Sequence, residues 1–518
     1  MPRLRAVIHT VAIAAMVFFF SAASSAQPPS PVQAQSSDVY YEIFVRAFYD
    51  SNGDGVGDIN GITAKLDYIK SLGVSGIWLM PINPSPSYHG YDITDYEGIN
   101  PQYGTMRDFK RLLDEAHKRD LKVVIDMVIN HTSNQHPWFK AAQNPKDPHH
   151  DWYVWATPNS DLNAISATGG PAWHRAPNGQ YYVGVFTSAM PDLNYDNPAV
   201  RKEMVNVGRF WLKQGVDGFR LDAAQHIYDD LRSDMDSPFA LKKNVTWWSE
   251  YRHGLQAVDP NVWLVGEVAR QNPDDLVPYM GPLNTVFNFP VATQLLNSVR
   301  QERNLGIGTG LEYTYAAYRE HADGQFDDAP FLTNHDQNRV MSELDDNIAH
   351  MRMAAALLLT LPGHPFIYYG EELGMQGSKP DEDIREPMRW YRHSGPGVAS
   401  WKAWSTSDSP DVSVEAENTD PNSLLNLYRT LIGWRKQISA LRDGVLHNVQ
   451  VDDPHVLAYT LQDAQSRVLV VHNLSRDTRT VSLGAVMQNP TILVQSKTGT
   501  AVSEGHVSLP SYGTAILH

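Results

Sequence analysis

The sequence predicts an α/β protein built on a (β/α)8 TIM barrel, with a domain inserted after strand 3 and a C-terminal antiparallel β-sandwich domain. Short, β-branched apolar runs alternate with amphipathic helical stretches about eight times over roughly 400 residues. A stretch rich in Trp, Tyr and Asn interrupts this alternation once. The last part of the chain changes to apolar and polar residues that alternate with the period of a strand.

The predicted barrel strands are near-continuous apolar runs, which is typical of parallel strands covered on both faces. They are residues 40–48, 73–81, 121–131, 215–222, 261–268, 285–290, 331–336 and 365–372. Amphipathic helices such as 103–120 and 197–214 lie between them. Eight alternations fit a closed barrel better than an open sheet.

The N-terminal residues predict export. MPRLR carries two arginines, VAIAAMVFFF is a short apolar run, and SAASSA supplies small residues for cleavage after Ala26. The apolar run is short for a membrane span, so residues 1–26 are interpreted as a signal peptide rather than an anchor. Residues 27–37 form a polar leader. We therefore expect a secreted or periplasmic protein that has no membrane contact after cleavage. A monomer is the working expectation, although the sequence does not determine the oligomeric state.

The remaining chain divides into three predicted domains. The barrel comprises residues 38–131 and 196–441, the inserted domain 132–195, and the β-domain 442–518. The formal net charge of −16 argues against a nucleic acid or an anionic membrane as partner. The chain has no cysteine, which excludes disulfides and thiol chemistry, so its core and any bound metal must stabilise it.

Charged residues end four of the predicted strands. These strand ends contain Asp126 with His131, Arg220 with Asp222, Glu267, and His335 with Asp336. One such residue is usually a solvated cap, but the ends of barrel strands meet at one rim, where barrel enzymes place their chemistry. Four charged strand ends therefore indicate a site.

Three carboxylates at one rim suit the hydrolysis of a glycosidic bond. One attacks the anomeric carbon, a second with a raised pKa protonates the leaving oxygen, and the third stabilises the developing positive charge. Arg220 precedes Asp222 by two residues and so lies on the same face of the strand. We expect it to keep Asp222 ionised. The histidines are expected to donate to sugar hydroxyls.

These strand ends closely resemble the conserved regions of family 13 glycoside hydrolases, the α-amylase family. The matching stretches are DMVINH (126–131), GFRLDAAQH (218–226), GEV (266–268) and TNHD (333–336). SYHGYDITDY (87–96), MPDLN (190–194) and PGHPFIYYGEELG (362–374) match as well. The resemblance extends over residues 38–518 and is closest to bacterial α-amylases intermediate between oligo-1,6-glucosidases and neopullulanases.

The resemblance implies that Asp222 is the nucleophile, Glu267 the general acid/base and Asp336 the transition-state stabiliser. It also implies a subsite for the attacked glucose, lined by His89, Tyr91, His131, Arg220 and His335. Tyr91 would be a stacking platform, although a packed aromatic residue would give the same pattern. Arg385 resembles an arginine near the cleft of oligoglucosidase-like members, but an ion pair with Glu382 or Glu386 would look the same.

The loop DSNGDGVGD, residues 50–58, has the oxygen spacing of a calcium-binding loop, with Gly55 at the sixth position. Its twelfth position is Gly61 rather than Glu, and a predicted strand precedes it, which argues against a calcium-signalling protein. Family members related to oligo-1,6-glucosidases carry such a loop. The resemblance implies a structural Ca2+ held by Asp50, Asn52, Asp54, Asp58 and the carbonyl of Val56. A solvated acidic turn is the alternative.

A second calcium at Asn130, Asp192 and the His226 carbonyl is left open, and no chloride dependence is expected. The expected activity is retaining endo-hydrolysis of α-1,4-glucosidic bonds in starch and maltooligosaccharides. The alternative is an exo-acting α-glucosidase or a maltooligosaccharide transglycosylase of the same family. Ala269, where relatives often have Trp, leaves the product length open. Non-catalytic transporter subunits with this barrel need a membrane anchor and usually lack part of the acid triad, which disfavours that class.

Overall fold

The computed structural model describes residues 39–166, 169–229, 237–322, 326–405, 409–483, 486–487 and 490–518. The predicted signal peptide and leader lie outside these ranges. Among the helices within them, none has both the length and the apolar character needed to cross a membrane.

The strands, in chain order, are β1 (Tyr40–Ile43), β2 (Gly76–Leu79), β3 (Lys122–Met127), β4 (Trp173–Arg175), β5 (Tyr181–Val183), β6 (Gly218–Leu221), β7 (Trp263–Gly266), β8 (Thr285–Val286), β9 (Phe366–Tyr368), β10 (Val445–Val449), β11 (Val456–Gln462), β12 (Arg467–Asn473), β13 (Arg479–Ser482), β14 (Ile492–Gln495), β15 (Ala501–Ser503), β16 (His506–Leu509) and β17 (Thr514–Leu517).

The α-helices are α1 (Val45–Phe48), α2 (Ile59–Leu72), α3 (Met106–His117), α4 (Pro137–Ala142), α5 (Pro198–Gln214), α6 (Pro238–Gln256), α7 (Phe289–Arg300), α8 (Ile307–His321), α9 (Val340–Glu343), α10 (Ile348–Thr360), α11 (Asp381–Ile384), α12 (Val414–Glu417), α13 (Leu424–Gln437) and α14 (Ser439–Asp443).

Parallel strands form the barrel in the order β8-β7-β6-β3-β2-β1-β9, which is seven strands among the described residues. Residues 329–331 close it through parallel bridges from Phe287 to Ala329 and from Phe331 to Phe366. The predicted seventh strand, 331–336, is therefore reduced to isolated bridges. Pro330 accepts a bond from the Phe366 N–H at 2.9 Å but has no N–H to donate, which shortens the ladder.

The helices begin and end where local chemistry favours it. Thr105 and Asp108 form a reciprocal capping box that fixes the start of α3. The helix ends at His117, so it is shorter at both ends than the predicted helix 103–120. Asn197 caps α5, and Gly215 ends it with a φ of 107° that suits glycine. The predicted first strand, 40–48, also ends early, because α1 occupies its second half.

The barrel interior has an aromatic layer at one level and a charged layer at another. Tyr40 stacks on Trp263 and on Phe366, with ring centroids 4.9 and 5.1 Å apart. Side chains two residues further along the strands are charged, including Glu42 on β1 and Asp126 on β3. This charged layer lies toward the C-terminal ends of the strands, where the site is expected.

The C-terminal strands form two antiparallel sheets, β10-β11-β12-β17-β14 and β13-β16-β15. Alternate residues of β11 belong to different cores. Leu457 and Tyr459 pack into the large cluster that contains the barrel helices, whereas Val456 and Ala458 pack with Val507 of the smaller sheet. The larger sheet is thus buried on both faces, as a β-sandwich that rests on the barrel. The exact domain boundaries stay predictions.

Candidate active site

Arg220, in β6, lies at the centre of the candidate site and is completely buried. Its Nη1 is 2.6 Å from Asp222 Oδ1 and 3.0 Å from Asp126 Oδ1. Its Nη2 is 2.8 Å from Glu267 Oε2. Two carboxylates from neighbouring strand ends therefore contact one guanidinium, which places Asp222 and Glu267 at the same mouth of the barrel.

The three carboxylates around Arg220 share one positive charge. Burial raises the pKa of Glu267, and repulsion from Asp222 adds to this, while Arg220 opposes both. Burial also raises the pKa of Asp222 and raises the pKa of Asp126 to about 7. The predicted contact between Arg220 and Asp222 is present, but desolvation outweighs it, so it does not by itself keep Asp222 ionised. Together, the three carboxylates around Arg220 therefore tend to retain a proton.

Asp336 has the opposite electrostatics. His335 Nε2 lies 3.1 Å from its Oδ2, and Arg385 Nη2 lies 2.8 Å from its Oδ1. Partial desolvation opposes ionisation, but His335 and Arg385 outweigh it and hold the pKa of Asp336 well below its usual range. Its side chain is 45% exposed, compared with 10% for Asp222. Asp336 thus presents a stable negative charge at the opening.

Arg385 is 2% exposed, and its ion pairs include Asp336 and Asp381, the second at 3.1 Å. Its Nε also donates to the His335 carbonyl oxygen at 2.9 Å. Arg385 therefore holds the strand-end carboxylate of Asp336 from the buried side. This placement agrees with a location near the cleft, but the buried guanidinium is bound to protein groups.

Tyr91 links the two parts of the site. Its hydroxyl is 3.0 Å from Asp126 Oδ2 and 2.5 Å from His335 Nε2. Its ring stacks on that of His335 with a centroid separation of 5.5 Å. The hydroxyl is thus used within the protein, while the side chain stays partly exposed as a platform would be.

His131 and His335 differ from the expectation that the histidines donate to sugar hydroxyls, because their ring nitrogens contact protein groups. His131 is buried, and its Nε2 donates to the Tyr91 carbonyl oxygen at 3.1 Å. Burial lowers its pKa to about 4, so it is a neutral donor. Both ring nitrogens of His335 also contact protein groups. His89 is partly exposed and accepts the Tyr91 N–H on Nδ1, which leaves Nε2 available.

Two members of the site received no role from the sequence. Asp126 was noted as a strand-end acid, and the structure places it against Arg220 and Tyr91. Glu42 was missed, and its Oε1 lies 2.6 Å from His335 Nδ1. The available signal was a single acid inside the apolar strand YYEI, where the period of two points it inward with Tyr40.

The metal-binding atoms that the loop 50–58 can offer are oxygens, which are the ligands that calcium prefers. Asp50 Oδ2 accepts the N–H of Gly55 at 2.8 Å, and Asp54 Oδ1 accepts that of Val56 at 2.8 Å. Asp58, however, caps α2 and accepts the Gly61 N–H at 2.7 Å. A side chain at Gly61 would overlap the Tyr49 carbonyl oxygen, which explains why no Glu stands there.

Convergence of carboxylates is a separate requirement for a metal site. Within the described part of the chain, no group of three or more His, Asp or Glu residues is arranged to hold a metal ion. The second calcium set that the sequence left open, Asn130, Asp192 and the His226 carbonyl, contains one carboxylate and stays open. The donor chemistry of the loop fits, and calcium stays a prediction.

Comparisons with known proteins identify the family of the chain. The family model "Alpha amylase, catalytic domain" matches residues 42–444. A second model, "Alpha-amylase SusG C-terminal domain", matches residues 456–516. Together they extend over the barrel, the inserted region and most of the C-terminal sheets.

Full-length relatives carry several names. Alpha-amylase 3 of Dictyoglomus thermophilum is 42% identical over 482 residues, which is 92% of each chain. The oligo-1,6-glucosidase of Parageobacillus thermoglucosidasius is 33% identical and covers 85% of this chain and 90% of its own. The trehalose synthase/amylase TreS of Mycolicibacterium smegmatis is 34% identical, with 92% and 88% covered.

Solved structures give the same result. The crystal structure of the alpha-amylase from H. orenii superposes with a TM-score of 0.86 at 42% identity, covering 93% of this chain and 99% of that one. The alpha-glucosyl transfer enzyme XgtA gives a TM-score of 0.82 at 32% identity, with 93% and 98% covered. The chain therefore belongs to the α-amylase family, the family 13 glycoside hydrolases.

Proposed function

We propose that this enzyme hydrolyses α-1,4-glucosidic bonds within starch and maltooligosaccharides, with retention of the anomeric configuration. The observation that supports the retaining mechanism most directly is the contact of Asp222 with Nη1 and of Glu267 with Nη2 of the Arg220 guanidinium. Retaining glycosidases need their two carboxyl groups close together, about 5–5.5 Å apart, so that no water fits between nucleophile and sugar.

In the first step Asp222 attacks the anomeric carbon while Glu267 gives its proton to the leaving glycosidic oxygen. The carbon–oxygen bond breaks as the glycosyl ester with Asp222 forms. The raised pKa of Glu267 suits it to carry this proton near neutral pH. Asp336, held ionised by His335 and Arg385, stabilises the positive charge that develops on the sugar ring.

In the second step Glu267 takes a proton from water, whose oxygen bonds to the anomeric carbon while the bond from that carbon to the Asp222 oxygen breaks and frees the carboxylate. Esterification removes the charge of Asp222, and repulsion from that charge is one cause of the raised pKa of Glu267. The pKa of Glu267 therefore falls in the intermediate, and the same group changes from acid to base.

Endo-hydrolysis is supported by the similarity to Alpha-amylase 3, at 42% identity over nearly the whole chain. A predicted signal peptide is consistent with a polymeric substrate, because starch cannot enter a cell. Relatives named oligo-1,6-glucosidase and trehalose synthase/amylase make exo-hydrolysis and glucosyl transfer the alternatives. Tyr91 and His89, both partly exposed, are proposed to contact the attacked glucose.

The test is a product time course on soluble starch and amylose with purified protein. Endo-hydrolysis lowers viscosity before small sugars accumulate, and NMR should show the α-anomer first. Early release of glucose alone would indicate exo-hydrolysis, and longer products from maltotriose would indicate transfer. Release of the β-anomer would contradict the retaining mechanism.

We further propose that Ca2+ binds the loop 50–58 through Asp50, Asn52, Asp54, Asp58 and the Val56 carbonyl. The ion would be structural, since the loop contacts the segment at Trp401 rather than the catalytic carboxylates. The Gly55 carbonyl accepts the N–H groups of Ser400 and Trp401, each at 2.8 Å. We also propose that the protein is secreted or exported to the periplasm and that it is a monomer.

A further inference from the structure

Glu42 is an acidic residue inside the barrel, and its side chain contacts His335 beside the candidate site. Its side chain is almost completely buried, and its Oε1 lies 2.6 Å from His335 Nδ1. The register pairs it with Trp78 on β2 and with Tyr368 on β9, so apolar and aromatic side chains surround it. A buried charge is costly unless it is paired, and His335 is the group that pairs it.

The hydrogen bonds around His335 define where its protons lie. Tyr91 O–H can donate to Asp126, which Arg220 also contacts, and the Tyr91 oxygen then accepts from His335 Nε2 at 2.5 Å. Glu42 accepts from Nδ1 on the other side. His335 Nε2 also lies 3.1 Å from Asp336 Oδ2, so a carboxylate faces each ring nitrogen, an arrangement that suits the two donors of an imidazolium.

We propose that Glu42 is a positioning residue for the hydrolysis proposed above, because it holds His335 doubly protonated so that His335 orients Tyr91 and keeps Asp336 negative. Glu42 does not touch the sugar and acts only through His335. This inference rests on the proposed function for its kinetic readout, while the protonation of His335 is measurable without any activity.

The charged and titratable groups facing His335 come from several elements. They are Glu42 on β1, Tyr91 after β2, Asp126 on β3, Arg220 and Asp222 at β6, the neighbouring Asp336, and Arg385 at its carbonyl oxygen. Burial alone would lower the pKa of His335, but Asp336 and Glu42 raise it to about 9. Without the charge of Glu42, His335 would release its proton at lower pH.

The first test is Glu42→Gln, which keeps the shape and an acceptor oxygen but removes the charge. We expect kcat/KM on maltoheptaose to stay within about threefold of wild type at pH 5.5 and to fall at least about tenfold at pH 8, with most of the loss in kcat. Glu42→Asp keeps the charge and should restore part of the activity at pH 8. A purely structural role would lower activity equally at both pH values and would overturn the proposal.

Glu372→Gln is the matched control. Glu372 is also a buried glutamate next to β1, where it accepts the hydroxyls of Tyr41 and Tyr68 at 2.6 Å each. Burial raises the pKa of Glu372, and Glu372→Gln alters a buried glutamate beside β1 without altering the partner of His335. Its pH profile should keep the wild-type alkaline limb, and the same shift as in Glu42→Gln would overturn the specific role of Glu42.

The second test is independent of turnover. Histidine-labelled protein is titrated by NMR, and the His335 signal is assigned by its loss in His335→Gln. In wild type the ring should remain doubly protonated above pH 8, and in Glu42→Gln its pKa should fall by about two units or more, which is the shift that a tenfold loss at pH 8 requires. A neutral His335 at pH 7 in wild type overturns the proposal even if no variant folds. An inactive wild type with protonated His335 would instead contradict the proposed hydrolysis alone.

Discussion

At the scale of single residues, Asp222 and Asp336 lie in different surroundings, which suit the different tasks proposed for them. Asp222 is 10% exposed and contacts Arg220, whereas Asp336 is more exposed and is held ionised by His335 and Arg385. The first position suits a group that forms a bond to the sugar. The second suits a fixed negative charge beside it.

Asp222→Asn is expected to lower kcat on soluble starch by about 10^4-fold or more, because the amide cannot form the glycosyl ester. Reducing-sugar release with purified protein measures the loss. Asn keeps the shape of the side chain, so the variant should still fold and bind maltoheptaose, as followed by melting curves and calorimetry. Retention of more than a few per cent of the activity would contradict the assignment of the nucleophile.

At the scale of elements, the thermal stability of the protein should show whether the loop 50–58 binds a metal. Chelation should lower the melting temperature by several degrees, since a ligand at about 100 times its Kd contributes about 2.7 kcal/mol. Calorimetry before and after EDTA treatment, with metal content checked, measures this.

Asp54→Ala is the informative control for chelation. Asp54 is exposed, and its side chain contacts Asn52 and Val56 in the same loop. The variant should be less stable with calcium and unaffected by EDTA. Asp58→Ala would be ambiguous, because Asp58 also caps α2 and its loss costs about 1 kcal/mol without any metal. An unchanged melting curve of metal-free wild type would favour the solvated turn.

A second element, the turn after β9, makes stability sensitive to alkaline pH. Glu371 is buried and accepts the Tyr428 hydroxyl on α13 at 2.7 Å, and burial raises its pKa to about 8. The unfolded value is about 4.3. Its stabilising contribution is therefore complete below pH 4 or so and is lost as pH rises through about 8.

Glu371→Gln should remove this loss, because the amide is neutral at every pH. We expect the variant to match wild type near pH 4.5 and to be more stable at pH 9 by a few kcal/mol, given about 1.4 kcal/mol per pKa unit. Urea unfolding at both pH values measures the difference. Glu320→Gln, on the exposed face of α8, should show no such pH dependence. Equal stability of wild type and Glu371→Gln at pH 9 would contradict the argument.

The sequence predicts elements best where the signal is local. The strand ends at Asp222, Glu267 and Asp336 follow from apolar runs that stop at charged residues, and a barrel brings such ends together. The protonation of His335 and the role of Glu42 could not be predicted, because they depend on register between β1 and a segment almost 300 residues away. The seventh strand was overestimated because Pro330 limits its ladder.

At the scale of the whole molecule, the barrel and the C-terminal sheets share one core. Leu457 and Tyr459 of β11 pack into the cluster that includes the barrel helices, and the Tyr459 hydroxyl is 2.8 Å from Thr360 Oγ1 on α10. The C-terminal sandwich is therefore part of what stabilises the barrel and is more than an attached module.

Removal of residues 445–518 should yield a barrel that aggregates, because the truncation exposes the apolar surface that β11 and β12 cover. Size-exclusion chromatography and melting curves measure this outcome. Tyr459→Phe is a mild control that loses only the hydroxyl contact and should cost about 1 kcal/mol. A soluble truncated monomer with the wild-type melting temperature would show that the shared core is dispensable.

A single guanidinium that serves three acids also limits how the enzyme can be altered. Because Arg220 contacts Asp126, Asp222 and Glu267 at once, a proton added to any one of them changes the other two. The acidic limb of the pH–rate profile would then report the joint titration of the three acids and not the pKa of a single side chain. Attempts to shift the working pH by engineering one of these acids should show strong epistasis with the rest.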